Sequence, residues 1–219
     1  MRCMSPVYAP PDALSTRPAV LLHAELDNAG VLLSLNEADV LARWERFCQR
    51  AQKPAQRHGA ESVVRFSTAW QLRMDDTRSA LSLAWALHTQ MRLASHGLPP
   101  DQRLHLRVGL HTADGDTQWS PSGAAPLASL QVARLAGLAQ ADETLVSAPF
   151  RDRLTEELDA TVQDLGDCLF KHESVPFRAY RVSPPTTLAP QDFTAPAVSA
   201  DAAQPTLAVI PLRVRGNDD

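Results

Sequence analysis

Residues Glu61 to Met74 read as two short strands meeting at Thr68–Ala69, with a long amphipathic helical stripe on either side. This segment restricts the fold most. Two strands alone cannot bury a core, so the hairpin must belong to a larger sheet on which the flanking helices pack. Upstream, Ala19 to Asp27 supplies a partner strand, where Val20, Leu22, Ala24 and Leu26 alternate with Leu21, His23, Glu25 and Asp27. The helix between them opens on Ser34 and Glu37, which have capping-box spacing. Its stripe is Val40, Leu41, Trp44, Phe47, Cys48 and Ala51, and Pro54 or His58–Gly59 ends it. Asp75–Asp76–Thr77 cap a second helix with Ala80, Leu81, Ala84, Leu87, His88 and Met91 on one face, stopping near Gly97–Pro100.

Leu104 to His111 is the next strand, and residues 113 to 125 read as a loop. A helix over Leu127–Ala139 follows, with Leu127, Leu130, Arg134, Leu135 and Leu138 at helical intervals. Thr144–Val146 is a short strand, Pro149 begins a short helix to about Leu158, and Val162–Leu165 and Phe177–Val182 are strands. The order β-α-β-β-α-β, then α and more β, predicts an α/β (α+β) chain: a ferredoxin-like antiparallel sheet with helices packed on one face.

The ends differ in composition. Residues 1–17 form a proline-bearing flexible lead-in, 18–182 the folded domain, and 183–204 a Pro/Ala-rich linker without Lys or Arg. Residues 205–219 carry one apolar strand, Pro205 to Leu212, either alone or as the start of a following domain. A net charge of −4 argues against a general nucleic-acid or anionic-membrane binder. Cys3, Cys48 and Cys168 form no CxxC pair, which fits a reducing, cytoplasmic setting. No apolar run approaches the roughly 20 residues of a membrane-spanning helix, and the N-terminus does not read as a signal peptide.

Six local patterns in order carry a resemblance. Ala19–Leu26 looks like an A-V-L-F-A-D-L opening, Arg57–Phe66 like R-H-G-G-x-V-V-K-F, and Leu106–Thr112 like L-R-V-G-I-H-T-G. Ala133–Ala139 looks like A-R-L-x-x-L-A, Glu143–Ser147 like E-I-L-V-S, and Leu165 to Val182 like a closing L-G…L-K-G…P-V…Y-R-V. Together they resemble the catalytic domain of the class III adenylyl and guanylyl cyclases, over about Ala19 to Val182. The segment at 205–212 is similar to the opening strand of TolB-like domains.

The cyclase resemblance implies a specific chemistry. In that family a ribose 3′-hydroxyl attacks the α-phosphate, assisted by two magnesium ions on two aspartates. Those aspartates align with Glu25 and Ala69, so one carboxylate is kept, on a longer arm, and one is missing. Trp70 stands where the family has Gly, where it fills the emptied nucleotide pocket. The purine-reading Lys aligns with Arg65 and its acidic partner with Gly123. The ribose-orienting Asn aligns with Leu130, while Arg134 and Lys171 match outright.

The resemblance therefore implies a pseudo-cyclase, a regulatory and dimerising module in bacterial signalling, with no catalytic residues and no cofactor expected. Arg65, Arg134 and Lys171 are then a residual phosphate-binding trio or ordinary solvated and paired residues. Glu25 is the one remaining metal position, and Mg2+ or Mn2+ enters only if the domain is active. The implied partner is a second copy or a cyclase-like heterodimer partner. The alternatives are an adenylate cyclase making cyclic AMP alone or as a half-site with a partner, and a nucleotide or anion sensor without turnover. His23, Glu25 and Asp27 share one strand face and form a second metal-ligand candidate; the plain reading is an exposed or interface strand face.

Overall fold

The computed structural model describes residues 19–113, 126–154, 160–169 and 176–184. The elements are β1 (Ala19–Leu26), α1 (Ala29–Arg57), β2 (Glu61–Arg65), β3 (Ala69–Met74), α2 (Thr77–Ala94) and β4 (Leu106–Ala113). They continue with α3 (Pro126–Leu138), β5 (Thr144–Ser147), α4 (Ala148–Arg151), β6 (Thr161–Cys168) and β7 (Phe177–Ser183). One seven-stranded sheet runs in the order β2-β3-β1-β4-β5-β7-β6.

The α/β class is as the pattern predicts; two particulars are not. β4 and β5 pair in parallel, because α3 crosses over between them; every other neighbouring pair is antiparallel. The helices also occupy both faces. On one face Val20, Leu22 and Ala24 of β1 pack with Trp44 and Phe47 of α1 and with Leu81 and Leu87 of α2. On the other, Leu21 packs with Ala128 and Val132 of α3. A strand covered on both sides must be apolar on both, which is why Leu21 is as buried as Leu22.

Helix α1 is kinked. Asn36 leaves helical geometry (φ −159°, ψ 82°), and its side-chain oxygen accepts from the Asp39 N–H at 3.3 Å. Asn36 is thus an internal N-cap for the long segment that follows. Ser34 does not take that role; its hydroxyl donates to the Val31 carbonyl. The helix passes through Pro54 and stops at His58, followed by Gly59 with φ +74° in the left-handed position that ends many helices. Helix α2 starts as expected: Asp76 accepts from the Ser79 N–H at 2.7 Å, and hydrogen bonding from the Ser79 hydroxyl, then from its N–H, lowers the carboxyl pKa.

Helix α3 corrects the sequence reading most. Its buried side is small, made of Ala128, Val132, Leu135, Ala136 and Ala139, while Leu127, Leu130 and Leu138 point outward. Gly109 of β4 explains the small side. A Cβ there would lie 2.5 Å from the Val132 carbonyl oxygen and 2.8 Å from the Ala136 nitrogen, so the helix backbone rests almost directly on the sheet. The leading residues, Gly123, Lys171, residues 185–204 of the linker and the Pro205–Leu212 segment lie outside the described residues; Ser183, placed at the start of the linker, is the last residue of β7.

Candidate functional site

The pairing register builds a row across three strands. Glu25 of β1 stands opposite Ala69 of β3 and opposite Arg107 of β4. Paired residues share a sheet face, and this face is the one α3 covers: Gln71, paired with His23, reaches the Ser129 carbonyl of that helix. Glu25 is partly buried and ion-paired, with its Oε1 2.8 Å from Arg107 Nη2. Its other oxygen lies 3.5 Å from His23 Nε2. Arg107 Nε lies 3.5 Å from Asp27 Oδ1, and its Nη1 reaches the Gly137 carbonyl at 3.4 Å. One guanidinium therefore serves two carboxylates and ties the end of β1 to α3. Ala69, across from Glu25, contributes only a methyl group.

His23, Glu25 and Asp27 do share this face, but Arg107 contacts both carboxylates. Among the described residues no group of three or more His, Cys, Asp or Glu side chains is arranged to hold a metal ion.

Trp70 is a correction. It pairs with Ala24 and is 4% exposed in the core beneath α1 and α2. Strand alternation places it on the face away from Glu25, so it fills no space beside the carboxylate. Arg65 pairs with Trp70, and its Nη2 lies 3.1 Å from both Glu45 oxygens on α1. Arg134 sits on α3, on the opposite side of the sheet. The expected trio is therefore not brought together within one chain: Arg65 and Arg134 belong to different faces, and Lys171 is outside the described residues. Leu130 precedes Arg134 by one helical turn, and 46% of its surface is exposed.

Two histidines are structural. His111 is buried, with Nδ1 2.9 Å from the Ser147 hydroxyl. His88 Nε2 lies 3.0 Å from the Thr144 hydroxyl, and burial pushes its pKa down to about 4, only partly opposed by Asp142. Arg107 falls within the Leu106–Thr112 pattern, which by itself gives it no role. Register supplied the role, because β4 must be aligned with β1 before Arg107 faces Glu25.

No protein-family model and no curated protein matches the chain. Solved structures do. An adenylate/guanylate cyclase/hydrolase from Silicibacter pomeroyi superposes with a TM-score of 0.67 at 21% identity, over 77% of this chain and 97% of that one. The adenylyl cyclase CyaB from P. aeruginosa gives 0.61 at 17% identity, over 78% and 95%. The guanylyl cyclase Cya2 gives 0.65 at 12% identity, over 78% and 94%. Likeness at this identity establishes architecture and leaves activity to the site. The chain has the α/β fold of the class III nucleotide cyclase catalytic domains.

Proposed function

We propose that this domain is a catalytically degenerate relative of the class III cyclases that acts as a regulatory, dimerising module. The observation that carries the reading is the register of Glu25 against Ala69. A two-magnesium centre needs hard oxygen donors from both strands; here β3 offers a methyl group and the β1 carboxylate is ion-paired with Arg107. The residues present do not fit that centre. Leu130 removes a polar donor on α3 as well. Loss of one transition-state donor costs on the order of 10²–10³ in rate, so several together leave little turnover.

The test is direct. Purified protein incubated with MgATP, MnATP or MnGTP is expected to form no cyclic nucleotide above the protein-free rate, and robust product overturns the proposal. Ala69→Asp, assayed in parallel, restores the carboxylate count; activity in that variant alone would place the loss at a single residue.

A second reading, a half-site that completes a catalytic partner, is favoured by Arg134 on α3 and opposed by Leu130 one turn before it. Co-expression with a metal-competent cyclase and no gain in activity removes it. Nucleotide binding without turnover is removed by calorimetry that detects no ATP, GTP or cyclic nucleotide binding.

A further inference from the structure

The face of the sheet away from Glu25 holds a second feature. The inner side of α1 tapers along its length, from Trp44 and Phe47 to Cys48, Ala51 and Ala55. Where it becomes small, it crosses Trp70 and Leu72 of β3 and leaves a cavity of about 140 Å³. Its floor is apolar: Cys48, Ala55, Trp70 and Leu72 are all buried. Gln52 and Arg65 stand at its rim and are exposed. We propose that this cavity binds a small carboxylic acid with an aromatic or cyclic aliphatic body, its ring against Trp70 and Leu72 and its carboxylate on Arg65.

Size sets the first limit. The cavity is well below the roughly 300–1,000 Å³ of pockets for drug-sized ligands, which restricts the occupant to about ten non-hydrogen atoms. Charge sets the second. The Cys48 thiol is pushed up to about 12 by burial, with Arg65 pulling in the opposite direction. The interior therefore rejects an anion, while the guanidinium field reaches into it. A ligand with an apolar body and a terminal carboxylate satisfies both conditions, because its charge stays at the rim.

Arg65 is also available. Both of its contacts to Glu45 use Nη2, which leaves the rest of a planar five-donor fork for a second carboxylate. The Glu45 pair is half exposed and holds Arg65 weakly. The inference goes beyond the proposed function and stands whether or not the domain turns over nucleotide.

Benzoate and cyclohexanecarboxylate are the probes, titrated into the full chain by calorimetry and by Trp fluorescence. Acetate, which lacks the body, and benzamide, which lacks the charge, are the controls. Benzoate is expected to bind with a Kd of about 0.1–5 mM, the range open to a ligand of about nine non-hydrogen atoms. Acetate and benzamide should bind at least tenfold more weakly. Arg65→Ala, a change at an exposed pair, should reduce benzoate binding to the benzamide level. Ala55→Leu should abolish it by filling the cavity; if that variant does not fold, Arg65→Ala decides alone. No saturable benzoate binding at about 20 mM, equal binding of acetate, or unchanged affinity in Arg65→Ala would overturn the proposal.

Discussion

Toward α1 and α2 the sheet presents Val20, Leu22, Trp70, Leu72 and Leu110; toward α3 it presents Leu21, His23, Gln71, Gly109 and the Glu25–Arg107 pair. The first face is a continuous core of large side chains. The second is thin, with small helix residues resting on a glycine and polar groups held in the strands. The helices differ in the same sense. Helix α1 turns its aromatic residues inward, whereas α3 turns its alanines inward and three leucines outward. Stability therefore rests mainly on the first face. The second carries the Ala69–Glu25–Arg107 row, together with an apolar surface that its own chain does not cover among the described residues.

The largest expected effect tests which face Trp70 serves. Trp70→Ala should destabilise the domain by about 3–5 kcal/mol, as removal of a buried aromatic from a packed core does, read as a lower urea midpoint. A residue that merely plugged a site beside Glu25 would cost far less. Next in size is a pH effect on the same face. The folded-state pKa of His88 is depressed to about 4 from an ordinary 6.5, so the unfolded chain binds a proton that the native state refuses. Stability from this residue is fully present above pH 6.5 and is lost as pH falls from there toward 4. The loss amounts to about 3 kcal/mol at most. The groups facing His88 are Asp142, Arg92, Thr144 and the Glu143 backbone. His88→Gln keeps a donor for Thr144 but cannot titrate, so the wild-type-minus-variant difference in urea midpoint should shrink as pH falls through that window. A difference that stays constant with pH would show that His88 is not a buried neutral base.

On the α3 face, Gly109→Ala should cost about 2–3 kcal/mol through overpacking, since its Cβ meets helix backbone and cannot be relieved by a rotamer change. Wild-type stability in this variant would mean that α3 does not lie as close as described.

The strands, the second helix and its Asp76 cap were legible because alternation and capping are local signals. Helix α3 was legible as a helix but not as a surface. Leu127, Leu130 and Leu138 form the stronger apolar stripe, so periodicity picked the outer side; the inner side is set by Gly109, a residue in another element. The Ser34 spacing misled for a related reason, because Asn36 two residues later interrupts the helix and caps it. At the site, the resemblance singles out Glu25 and Ala69, and the register makes them cross-strand partners. Arg107 and the sidedness of Trp70 and Arg65 could not be read in advance. Each depends on which strand pairs with which and in what phase, and a shift of one residue would move them to the opposite face.

The smallest effect on folding should accompany a large effect on association. Leu127, Leu130 and Leu138 are 64%, 46% and 43% exposed, so replacing them removes little buried area. Leu130→Asn should change stability by less than about 0.5 kcal/mol, as surface substitutions do. If α3 is the face by which two domains meet, the same leucines become interface core on association, where apolar anchors carry most of the binding energy. Leu130→Asn, and more strongly Leu127→Ser with Leu138→Ser, should then shift sedimentation toward monomer while the urea midpoint of the monomer holds. Gly109→Ala would disturb α3 through folding, so midpoint and association should fall together there. The leucine variants should separate them. If they lower the midpoint as much as Gly109→Ala, the outward stripe is part of the fold; if they leave association unchanged, any partner meets this domain elsewhere.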